Sequence, residues 1–113
     1  MQELFVRAGC YALVLLELEE PNFSLAWEFS SEHRNICFSV VFRGDEKRAL
    51  DQARVLIQLM RCNSHRQAVR GQLNAREPGT YLLVFDNSFS RFYGKKVFYH
   101  LTATKMVMYD GTE

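Results

Sequence analysis

Apolar side chains recur at every second position in four separate stretches of this chain, and a period of two leaves extended backbone, covered on one face, as the structure that buries them together. In "LAWEFS", Leu25, Trp27 and Phe29 point one way and Ala26, Glu28 and Ser30 the other. In "ICFSVVF", Ile36, Phe38, Val40 and Phe42 share a face, with Cys37 and Ser39 opposite. "TYLLVFD" groups Tyr81, Leu83 and Phe85, and "KVFYHLTAT" groups Val97, Tyr99, Leu101 and Ala103; both are rich in the β-branched and aromatic residues that favour strands. "YALVLL" at 11–16 reads as a further, buried strand. Pro21-Asn22, Gly44-Asp45 and Pro78-Gly79 break the runs and supply the fixed or positive φ that turns need. Short strands between such breaks predict an all-β fold, an antiparallel β-sandwich.

One stretch is ambiguous. Across 44–60, Leu50, Ala53, Ile57 and Met60 recur at helical spacing, while Val55, Ile57 and Leu59 alternate with Leu56, Gln58 and Met60 as a strand would. The all-β surroundings favour a polar loop over 44–52 followed by a strand.

With 113 residues, 48% of them hydrophobic, the chain is long enough for one domain with its own core, 1–113, and short for two. A formal net charge of +1 provides no global field to draw it onto nucleic acid or a membrane, so an electrostatic partner has to be met locally. Cys10, Cys37 and Cys62 are odd in number and widely spaced, unlike a disulfide framework or a zinc site, and fit reduced thiols in a cytoplasmic setting. No apolar run approaches the roughly 20 residues of a membrane span, and no signal peptide is evident. Phosphate-cradling glycine loops and dinucleotide fingerprints are missing, and no cofactor is expected.

"RCNSH" at 61–65, the glycine at 71, "PGTYLLVFDNSFS" at 78–90 and "KKVFYHL" at 95–101 resemble the C-terminal half of a GOLD (Golgi dynamics) domain, and "LAWEFSSEHRNICFSVVFR" resembles its tryptophan strand and the aromatic strand after it. The resemblance covers nearly the whole chain and implies a jelly-roll-like β-sandwich of the kind found in trafficking and lipid-transfer proteins. It implies a non-catalytic module that binds protein partners of the trafficking machinery in a vesicle-transport or autophagy adaptor. It further implies a cytoplasmic parent, peripheral on late endosomes, lysosomes and autophagosomes, of which this is the C-terminal fragment. The absence of a plausible disulfide or adjoining span sets it apart from the family's secretory members and argues against lumenal cargo binding.

Two groups of residues stand out as partner-binding candidates. The first is "FDNSFSRFYGKK" at 85–96, where Asp86 and Asn87 are suited to ordering the following loop by Asx-type hydrogen bonds. Phe89, Phe92 and Tyr93 then either fold back over the end of the sandwich or stand out, with Lys95 and Lys96, to grip a partner. The second is the arginines. Residues 1–35 hold six acidic residues against two arginines, whereas Arg54, Arg61, Arg66, Arg70 and Arg76 follow one another with no acid between 52 and 76. If Arg61, Arg66 and Arg70 converge they suit an acidic lipid headgroup or acidic peptide; if not, they balance the acidic half. No stacking motif accompanies them, so nucleic acid is not expected. Cys62 and His65 are spaced as a nucleophile pair but lack an evident oxyanion donor or orienting partner, and "NSH" at 63–65 also suits a hydrogen-bonded turn. His33 and His100 have no metal-ligand neighbours at usable spacing, and Glu19-Glu20 sits beside a turn as a solvated rim.

Overall fold

The structure, a computed structural model, describes residues 1–44 and 52–106. Eight strands are present: β1 (Gln2–Val6), β2 (Tyr11–Leu18), β3 (Phe23–Ser31), β4 (Ile36–Phe42), β5 (Arg54–Cys62), β6 (Val69–Ala75), β7 (Gly79–Asp86) and β8 (Lys95–Lys105). They form two antiparallel sheets in the orders β1-β8-β3-β6 and β2-β7-β4-β5. This alternation of strands between two layers is the jelly-roll arrangement, and the all-β expectation holds. The polar loop expected at 44–52 falls almost wholly outside the described residues.

The alternating faces meet between the sheets. Leu25, Trp27 and Phe29 of one sheet bury against Ile36, Phe38, Val40, Leu83 and Phe85 of the other. Phe85 sits edge-on to Phe29 at 5.1 Å between ring centroids, with Phe38 at 5.3 Å. Being interior strands, β4 and β7 have neighbours on both sides, so their outward positions Ser39, Val41, Thr80 and Leu82 are enclosed as well. β1 and β6 are edge strands whose inward faces, Leu4 and Val6 in β1 and Val69, Leu73 and Ala75 in β6, are short or interrupted by Gly71, so alternation alone passed over them.

Two close approaches fix glycines. Gly79 has φ +140°, and a Cβ there would lie 2.6 Å from the Gly44 carbonyl oxygen. Gly71 stands directly opposite Trp27 across the β3–β6 pair, and a Cβ would meet the indole at 2.5 Å. Gly71→Ala is therefore expected to displace the indole and cost about 1–3 kcal/mol. Chemical denaturation followed by Trp27 fluorescence measures both effects; an unchanged midpoint and unchanged emission would show that the indole does not lean on the glycine.

Candidate functional site

The register brings four connections to one end of the sandwich: 7–10, 32–35, 63–68 and 87–94. Asn87 ties them. Its side chain, in phase with inward-facing Phe85, is fully buried, and its amide nitrogen lies within hydrogen-bonding reach of the carbonyls of Val6, Arg7 and Tyr93 at 3.2, 3.2 and 2.8 Å. Its amide oxygen accepts from the Lys95 ammonium at 2.6 Å. Asp86 accepts from the Ser88 N–H, and Ser90 bonds both backbone groups of Tyr93, so the Asx-type ordering of this loop is present.

The aromatic rings of the loop do not close the sandwich. Phe92 is 84% exposed, and Phe89 and Tyr93 are also at the surface. Polar Asn87 and Ser90 occupy the closure instead, because the converging backbone carbonyls need donors that phenyl rings cannot supply. The Arg34 guanidinium lies over the Tyr93 ring at 3.7 Å, and that of Arg61 over Phe89 at 3.9 Å. The Lys95 ammonium is 4.6 Å from the Phe89 ring centre.

Lys95 does not stand out at the surface as the sequence suggested. It is only 2% exposed, because it shares the inward phase of Val97. Burial pushes the ammonium below the ordinary lysine range, and the charges of Arg34 and Arg61 push the same way. Lys96 points outward and pairs with Glu3 at 3.3 Å.

The three candidate arginines do not converge. Arg61 ends β5 beside the aromatic loop, Arg66 is exposed in the 63–68 turn, and Arg70 lies on the other sheet, paired with Glu28 at 2.8 Å. Arg70, Lys96 and Lys105 of the basic half each meet a glutamate of the acidic half, so much of the charge asymmetry is balanced within the fold. Arg34 was missed because it lies in the acidic half, where counting charge by blocks hides it. A pocket of about 260 Å³ opens between Arg34, His33, His65, Phe89, Tyr93 and Lys95.

Cys62 and His65 are not set up as a nucleophile pair. Burial, and the proximity of Cys37, raise the Cys62 thiol above its ordinary range, the reverse of what thiolate chemistry needs. The segment instead forms a turn: Ser64 bonds Ser31 Oγ at 2.6 Å, and the Asn63 carbonyl accepts from Arg66 N–H. Among the described residues there is no helix, and so none able to cross a membrane.

No family model matches this chain. The chain is 53% identical over 112 residues, 99% of its length, to FYVE and coiled-coil domain-containing protein 1 of Mus musculus, and 51% identical over the same span to that of Homo sapiens. It spans about 8% of the length of each. A two-sheet sandwich that aligns end to end with a short stretch of a much larger protein has the size of one module, and the chain is similar over nearly its whole length to a small domain of FYVE and coiled-coil domain-containing protein 1.

Proposed function

We propose that this chain is a single, non-catalytic interaction domain, residues 1–113, of a vesicle-trafficking and autophagy adaptor that links late endosomes, lysosomes and autophagosomes to plus-end-directed microtubule transport. Its loop end is the face that meets a partner. The observation that carries this is the imbalance there: Arg7, Arg34, Arg61, Arg66, Arg91 and Lys95 stand on the loops and adjoining strand ends against Glu32 and Asp86, beside an aromatic crest headed by Phe92. Exposed aromatics and arginines are the residue types that anchor interfaces. The relatives' name supports a multi-domain parent, in which a module of this size contributes contacts and leaves other tasks to its neighbours.

Proximity labelling in cells tests it, using the chain fused to a biotin ligase beside an Arg34→Glu, Arg61→Glu, Phe92→Ser variant. The expected result is that proteins of late endosomes, lysosomes and transport complexes are labelled by the parent and lost from the variant. All three positions are exposed, so the variant is expected to melt with the parent. Identical labelling by both would remove the loop end as the binding face.

A further inference from the structure

The pocket within this loop end is cationic on several sides and has no matching acid. Elsewhere on the described surface Arg54, Arg70, Lys96 and Lys105 have carboxylate partners, at 2.8 to 3.3 Å, while Arg43 and Arg76 have none among the described residues. Arg34 and Arg61 have none among the described residues, though both are held in place on aromatic rings with their N–H edges unpaired. Beneath them Lys95 is enclosed, with the neutral Asn87 amide as its hydrogen-bond partner. At the pocket wall His65 Nδ1 is buried and has no hydrogen-bond partner. Cations converging with no internal counter-charge cost the fold stability unless an anion joins them.

The size and the donors narrow the ligand. At about 260 Å³ the pocket is below the usual range for whole ligands, so it takes one compact group and leaves the rest of the molecule outside. A carboxylate has two oxygens, whereas a phosphate monoester presents three and carries close to two charges at neutral pH. Resting on the loop end as the binding face, we infer that this pocket binds a phosphate monoester, its oxygens taken by Arg34 and Lys95 of the pocket lining, with Arg61 adding positive charge from over the Phe89 ring. The group comes either from a free phosphate compound or from a phosphorylated lipid headgroup, with Phe92 placed to enter the lipid interface in the second case.

Calorimetry of the purified chain with inorganic phosphate and with a soluble inositol phosphate, alongside sedimentation with phosphatidylcholine vesicles with and without phosphatidic acid, tests this. Binding to at least one phosphate probe is expected, about tenfold weaker or worse in Arg34→Gln and weaker by a smaller factor in Arg61→Gln, which acts through charge alone. Vesicle binding that needs phosphatidic acid and is lost in Phe92→Ser, with soluble binding intact, supports the headgroup source. Soluble binding alone supports the free compound. No binding to any phosphate probe, equal binding by the arginine variants, or tighter binding of an oligoglutamate peptide than of the phosphates overturns the proposal. If that occurs while proximity labelling still depends on the loop end, the phosphate site falls and the broader interaction role stands.

Discussion

Replacing Asn87 with Ala is expected to cost about 3 kcal/mol or more, lowering the melting temperature by on the order of 10 °C. The deletion removes few atoms, yet leaves the buried Lys95 ammonium without its acceptor and takes the shared donor from the carbonyls of Val6, Arg7 and Tyr93. Those carbonyls lie at the end of β1, in the β1–β2 connection and in the β7–β8 connection, so one side chain joins both sheets at the binding end. The damage is expected to reach function too, because Lys95 floors the pocket and Tyr93 supports Arg34. A double-mutant cycle isolates the charge. Asn87→Leu with Lys95→Met removes the amide and the ammonium together, and should cost at least about 1 kcal/mol less than the two single changes summed. Additive losses in denaturant melts would mean that the ammonium does not depend on the amide.

How far this end of the molecule can be read from sequence depends on how far the alternation is followed. The inward faces of β3, β4, β7 and β8 follow directly from counting by two, and the same count carried two residues beyond Phe85 and two before Val97 places Asn87 and Lys95 inside. Reading them by residue type instead, as loop polar and surface lysine, put Lys95 on the outside. β5 is less legible for a physical reason. Two one-residue bulges, flanking Ile57 where it faces Val40, shift its phase, with Ser39 Oγ bonding the Ile57 carbonyl at 2.8 Å, so neither a helical nor a strand period runs cleanly through 54–60. The pocket was the least legible part. Arg34, His65 and Phe89 lie on three connections far apart in the chain, and jelly-roll pairing of distant strands brings them together. No local period encodes that pairing, although the resemblance to GOLD domains implied the fold that achieves it.

The second large effect is expected at Phe85 of β7, two residues before Asn87. Phe85→Ala should cost about 3–5 kcal/mol, since a fully buried ring is removed from a rigid site that cannot collapse around the void. Its ring belongs to one sheet and packs on Phe29 and Tyr99 of the other, at 5.1 and 6.0 Å, while Phe38 at 5.3 Å holds it from its own side. Losing it therefore loosens the contact between layers as well as emptying a space. Phe85→Leu keeps most of the volume and should retain much of the stability. Phe92→Ala is the matched control, the same residue type one loop away but with its ring in solvent, and should change stability by no more than about 0.5 kcal/mol. Urea melts of the three variants read the order directly. If Phe85→Ala and Phe92→Ala lost similar amounts, the two sheets could not be meeting around Phe85, and the loop end would lack the rigid base that its cations and rings require.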